Sequence, residues 1–159
     1  MKCVIVGDNQ VGKTCLSTVI CEKQYPLEYI PTVFDNYTIN YTHNTKQLNI
    51  SIIDTYDFGA RVLRPLGNIN ASVFLLCYAV DNLDSLNNIQ TKWLEIVHQQ
   101  SSNAHLIIVG TKSDLTNTTY QQAQQLADKL RAKHILCSAL QSNNIQLLLS
   151  EIAQKVVQK

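Results

Sequence analysis

One eight-residue stretch, Gly7-Asp8-Asn9-Gln10-Val11-Gly12-Lys13-Thr14, constrains this chain more than any other part of it. It fits G-x-x-x-x-G-K-[ST], follows the strand-like run Cys3 to Val6 and precedes a segment that reads as a helix, the context the pattern requires. Backbone N–H groups in such a loop and at the helix start converge on anionic oxygens. Lys13 reaches the β and γ phosphates of a nucleotide, and the Thr14 hydroxyl suits Mg²⁺. A purely structural Gly-rich turn would not need both the pattern and its flanking elements. Asn9, Gln10, Val11, Gly12, Lys13, Thr14 and Cys15 are therefore the candidate phosphate contacts.

The rest of the chain supplies an α/β frame for that loop. Apolar runs at Cys3 to Val6, Val73 to Val80 and Leu106 to Val109 do not alternate with polar residues, as expected of parallel strands buried on both faces. Helical spacing separates them: Leu86, Ile89, Trp93, Leu94 and Val97, then Ile145, Leu148, Leu149, Ile152 and Val156. Alternation of strand and helix predicts a doubly wound sheet. Tyr37 to Tyr41 and Leu48 to Ile53 alternate as a strand pair, with a hairpin through His43, Asn44 and Thr45. At 159 residues and 45% hydrophobic content, the chain reads as one domain over residues 1–159.

Composition narrows the function classes. A formal net charge of +1 with scattered Lys and Arg gives no electrostatic footprint for nucleic acid or anionic lipid. The five cysteines are far apart, and Cys3, Cys77 and Cys137 sit in apolar runs, which suits reduced thiols acting as small hydrophobes in a cytosolic setting. The N-terminus has no signal-peptide pattern, and Val73 to Val80 is far shorter than the roughly 20 residues of a membrane helix.

The phosphate loop alone does not choose among GTPases, ATPases and nucleotide kinases. Base recognition has to come from elsewhere, and two segments end strands where open α/β sheets bind ligands: Gly110-Thr111-Lys112-Ser113-Asp114 and Cys137-Ser138-Ala139-Leu140. A carboxylate at Asp114 can accept from the N1 and 2-amino donors of guanine, which adenine cannot supply in that arrangement. Read singly, Lys112 and Asp114 would pass for ordinary loop charges.

Together these segments resemble the Rho and Rac branch of the Ras superfamily. Thr-Lys-x-Asp, here Thr111 to Asp114, and Cys-Ser-Ala-Leu, here Cys137 to Leu140, carry the resemblance. Tyr29-Ile30-Pro31-Thr32-Val33-Phe34-Asp35-Asn36-Tyr37 resembles the Rho switch I, Arg64-Pro65-Leu66 the end of switch II, and Lys92-Trp93 the third helix. The resemblance implies a six-stranded mixed sheet with five helices and a GTP/GDP site with Mg²⁺. It places guanine on Lys112, Asp114 and Ala139, flanked by Thr111, Ser138 and Leu140, with Tyr25 packed against the base. It places Mg²⁺ on Thr14 and Thr32, with Asp54 supporting it through water. Lys13 and Thr32 would serve hydrolysis. Thr32 would order switch I with GTP and release it afterwards, changing an effector surface of Val33, Phe34, Asp35 and Tyr37; exchange factors are the other implied partners. As strand residues, Phe34 and Tyr37 would equally serve a core.

Two departures from the pattern bear on hydrolysis. The family's Asp-Thr-Ala-Gly-Gln-Glu is replaced by Asp54-Thr55-Tyr56-Asp57-Phe58-Gly59, and the segment to Leu63-Arg64-Pro65 is one residue shorter. The Gly that bonds the γ-phosphate and the Gln that positions the attacking water are both absent, so hydrolysis is expected to be slow. Asn9 stands where most relatives have Gly, in the path of an arginine finger. A rearranged switch II with Tyr56 or Asp57 positioning water would restore the rate; a pseudo-GTPase interaction module would have none. A P-loop kinase or ATPase would need an acceptor lid or added base that the sequence does not display.

Two further expectations concern partners and location. Only Leu115 to Leu136 separates Asp114 from Cys137, leaving no room for the extra helix of most Rho proteins. The sequence ends Val156-Val157-Gln158-Lys159 without a C-a-a-X box, which leaves prenylation unsupported. The expected location is the cytoplasm, or the cytoplasmic face of membranes if a prenylated tail lies outside these residues.

Overall fold

A computed structural model of the chain describes residues 1–27, 34–55 and 70–157. Tyr29 to Val33, including Thr32, lie outside the described residues, as do Tyr56, Asp57, Phe58, Gly59 and Arg64-Pro65-Leu66. Phe34 and Asp35 are described in their backbone only.

The elements are β1 (Lys2–Gly7), α1 (Lys13–Glu22), β2 (Phe34–His43), β3 (Lys46–Thr55) and β4 (Val73–Ala79). A helical rod follows: α2 (Leu83–Asn88), a π-helical segment (Ile89–Trp93) and α3 (Leu94–Gln100). The chain closes with β5 (His105–Thr111), α4 (Tyr120–Leu130), β6 (Lys133–Leu136) and α5 (Ile145–Val157). Among the described residues the helices thus form four rods, against five expected for the whole chain.

Among the described residues six strands join one sheet in the order β2-β3-β1-β4-β5-β6. Only β2 runs antiparallel to its neighbour; the other pairs are parallel. The apolar runs are the parallel strands because both faces are covered. In β1, Cys3 and Ile5 point to one face and Val4 and Val6 to the other, all fully buried. The first face packs Leu16, Val19 and Ile20 of α1 and Leu148, Leu149 and Ile152 of α5. The second packs Leu86, Ile89, Trp93 and Val97 of the rod and Ala123 and Leu126 of α4. Each large aliphatic side chain so buried contributes about 1.5–3 kcal/mol.

The expected hairpin is present and longer than its alternating core, with β2 and β3 paired from Phe34 opposite Thr55 to His43 opposite Lys46. Its turn is the two residues Asn44 and Thr45, both at positive φ (45° and 71°), the twist that two-residue hairpins favour. Between Asp114 and β6 there is one helix, α4, and it follows Asp114 by a short loop, so the extra Rho helix is absent from this stretch.

β1 is the point where the chain's path across the sheet reverses: β3 lies on one side of it and β4 on the other. Ligands of open α/β sheets bind beyond the carboxyl ends of strands at such a point. The loop Gly7 to Thr14 emerges there.

Candidate functional site

The phosphate loop is shaped by what its glycines permit. At Gly7 φ is 150°, and a Cβ would fall 2.2 Å from the Cys77 carbonyl oxygen, so β1 can lie against β4 only without a side chain there. Gly12 has room for a Cβ, but its φ of 96° is one that L side chains rarely adopt. That left-handed turn opens α1. Among the described residues no side chain caps α1, and its first turn has no acidic residue, whereas α2 is capped by Asn82, whose Oδ1 accepts from the Ser85 N–H at 3.1 Å. The start of α1, with the partial positive charge of its amides, is therefore open to an external anion.

Three side chains meet at this end. Lys13 is nearly buried and its ammonium donates to the carbonyls of Gly7 (2.8 Å) and Asp8 (2.6 Å). The Thr14 hydroxyl donates to Asp54 Oδ2 at 2.7 Å, and Asp54 is 1% exposed at the end of β3. A hydroxyl and a carboxylate held together beside uncapped amides fit Mg²⁺, which takes few protein oxygens and completes its shell with phosphate and water. A cavity of about 260 Å³ opens here between Gln10, Gly12, Lys13, Thr14, Cys15, Thr55 and Lys112. Val11 is buried and supports the loop, and Asn9 lies exposed at its crown.

An adjoining cavity of about 170 Å³ holds Tyr25, Lys112, Asp114, Ala139 and Leu140. Asp114 is half-buried, and its Oδ1 accepts from the Ser138 hydroxyl at 2.5 Å, which fixes the carboxylate at the border of this cavity. Ser138 is fully buried and its Oγ also accepts the Gln141 N–H at 3.1 Å. Lys112, at φ 56°, lies close to Gly12 and borders both cavities. Tyr25 stands at the rim, with the Cys15 thiol 3.9 Å from its hydroxyl; that contact is the main cause raising the Tyr25 pKa above its usual value.

The site thus gathers Gln10, Gly12, Lys13, Thr14, Cys15, Tyr25, Asp54, Thr111, Lys112, Asp114, Ser138, Ala139 and Leu140 beyond the carboxyl ends of the strands. The joined cavities offer uncapped amides and cations at one end and an aligned carboxylate at the other. A phosphorylated purine fits that polarity. The model of the Ras family matches residues 2–158. The chain belongs to the Ras family. Within it, this Ras-family chain is similar to the Rho-related protein racC of Entamoeba histolytica, 36% identical over 99% of this chain and 90% of that protein. It is also similar to the GTP-binding protein rho4 of Schizosaccharomyces pombe, 37% identical over 91% and 80%. The Ras-like GTP-binding protein RhoL of Drosophila melanogaster is 33% identical over 100% and 88%. It is a Rho/Rac-like small GTPase, of a family that binds GTP and GDP with Mg²⁺ and hydrolyses GTP.

Several supports of this Ras-family site are not visible in its motifs. The Thr111 hydroxyl hydrogen-bonds the carbonyls of Val11 and Tyr78 (2.8 Å to the latter), tying the phosphate loop to β5 and β4. Asp8 turns its carboxylate to the rod: Asn88 Nδ2 donates to Oδ2 at 2.6 Å and Trp93 Nε1 to Oδ1 at 2.8 Å. A buried indole N–H seeks an acceptor, and a carboxylate in a phosphate-binding loop has to face away from phosphate. Those two requirements were the available signals for this contact. Of the three cysteines expected as core hydrophobes, all are buried, and burial pushes the Cys137 thiol up to about 12 and those of Cys3 and Cys77 further. Cys21, half-buried, is raised to about 11 by the same cause.

Proposed function

We propose that this GTP-binding protein is a signalling switch that dwells in its GTP form because hydrolysis is slow, with effectors read through Val33, Phe34, Asp35 and Tyr37. The observation that carries the reading is the pairing of an intact phosphate and base site with an exposed Asn9 at the loop crown. Binding is the work of Lys13, Thr14, Asp54 and Asp114; turnover needs a group that orients water, and the segment Tyr56-Asp57-Phe58-Gly59 has no Gln to supply it.

In this reading Lys13 neutralises phosphate charge, and the amides of the loop and of α1 orient the β and γ phosphates. Thr14 and Thr32 would hold Mg²⁺ with Asp54 behind them, and the ion would supply positive charge against the phosphate oxygens. Asp114, aligned by Ser138, selects guanine. Asn9 adds bulk where an arginine finger would enter, a contribution of about 10³–10⁵ in rate that a partner could then not deliver.

The alternative, a pseudo-GTPase interaction module, draws support from the same Asp57-Phe58 pair and implies effector binding independent of nucleotide. Single-turnover hydrolysis of preloaded GTP tests the proposal. A rate well below that of a relative carrying the Gly-Gln pair is expected, with Asn9→Gly restoring response to an activating protein. A rate equal to the relative's would reject slow hydrolysis.

A further inference from the structure

Asp8 brings a negative charge into a loop whose ligand is itself a polyanion. Its carboxylate does not border the phosphate cavity; both oxygens are taken by the rod, Oδ1 by the Trp93 indole and Oδ2 by the Asn88 amide. The Asp8 main-chain carbonyl meanwhile accepts from Lys13. One residue therefore links the rod to the lysine of the phosphate site.

The rod is built to make this contact. Asn88 and Trp93 are five apart, and on an α-helix of 3.6 residues per turn they would point about 140° from each other. The segment Ile89–Trp93 is π-helical instead, with the Leu94 N–H bonding the Ile89 carbonyl. An i→i+5 ring places residues five apart one turn above each other, so both donors reach one carboxylate. Such rings are rare and recur at functional sites. Trp93 is 2% exposed, and the Lys92 ammonium sits over its ring at 4.5 Å, adding a cation to the same corner.

We propose that Asn88 and Trp93 are positioning residues that hold the Asp8 carboxylate out of the phosphate site, and thereby set how long the protein retains its nucleotide. Freed from its two donors, the carboxylate rotates toward the phosphates, and like-charge repulsion speeds release. The inference rests on guanine-nucleotide binding, so retention of fluorescent GDP by the unsubstituted protein is established first.

The experiment compares GDP dissociation rates with thermal melting for Trp93→Phe, Asn88→Ala, and each combined with Asp8→Asn. Trp93→Phe keeps an aromatic side chain but removes the indole donor and some buried volume, and the Asp8→Asn combination separates the two effects. It is expected to speed GDP release about tenfold, the equivalent of one charge-assisted hydrogen bond. Raised salt should shrink the effect, and adding Asp8→Asn should recover most of it, because a freed neutral amide does not repel phosphate. Asn88→Ala, on a half-buried position, repeats the test if Trp93→Phe does not fold. Val97→Ala, buried in the same rod, is the packing control: a lower Tm with GDP release within about twofold of the parent. Release unchanged in Trp93→Phe and Asn88→Ala, or acceleration that Asp8→Asn does not reverse, would overturn the proposal. A parent protein that holds no GDP would instead refute nucleotide binding itself.

Discussion

The two ends of the nucleotide site are built by different means. The phosphate end is held by bonds from across the fold: Thr111 to the Val11 carbonyl, Asn88 and Trp93 to Asp8, Thr14 to Asp54, and β4 pressed on Gly7. The base end rests on two loops at strand ends, with one hydroxyl aligning one carboxylate and with Tyr25 and Leu140 standing 37% and 60% exposed at its rim. In the proposed reading, affinity sits where the fold is most cross-linked, and base choice where a single side chain decides it. An anion can be met only by preorganised donors, whereas purine selection needs only the direction of two hydrogen bonds.

The largest effect that would sharpen this contrast is loss of the phosphate-end cation. Lys13→Met should weaken GDP binding on the order of 100-fold or more, measured by equilibrium titration with fluorescent GDP, since a buried charge partner is removed. Binding within tenfold of the parent would break the claim that affinity sits there. At the other end, Asp114→Asn should change identity more than total affinity. Guanine nucleotide loses about 100-fold, and xanthine nucleotide, whose 2-oxo group accepts from an amide, gains correspondingly in competition assays.

Smaller effects test the cross-links. Thr111→Val removes one hydroxyl that serves two carbonyls, so GDP release should quicken about tenfold and Tm fall by several degrees, followed by stopped-flow and by thermal melting. An unaltered release rate would mean that the loop does not need its tie to β5.

The smallest effect lies away from the site, at His134, whose Nε2 is 2.9 Å from the Tyr78 hydroxyl and whose Nδ1 is 3.3 Å from Gln124 Oε1. Burial lowers its pKa from 6.5, against a weaker opposing pull from Asp128. The fold therefore favours the neutral ring. That stabilisation is complete above the unfolded value near 6.5 and is lost as the pH falls from there through the lowered folded value. Denaturant unfolding between pH 7.5 and 5 should show a decline that His134→Gln flattens, while nucleotide binding keeps its pH profile.

What the sequence disclosed follows the same division. The phosphate loop was legible because its chemistry is local, eight consecutive residues between a strand and a helix. The parallel strands were legible because burial on both faces leaves unbroken apolar runs, and the hairpin because β2 and β3 alternate. Their full lengths were not: Phe34 to Asn36 and Asp54 to Thr55 are drawn into the ladder by pairing rather than by apolar character. Trp93 was legible as a buried helix position, which it is, but the π-helical ring that aims its indole is a backbone shift with no signature in residue type. The bonds that stiffen the phosphate end join residues 80, 85 and 100 positions apart, and only the folded sheet brings them together.

The most direct measurement is to release the nucleotide from freshly purified protein and identify it by chromatography. Guanine nucleotide is expected, with GTP in excess over GDP, from a site that binds through Lys13, Thr14 and Asp114 and turns over slowly. Adenine nucleotide, or no nucleotide with no uptake of GDP or GTP, would contradict it.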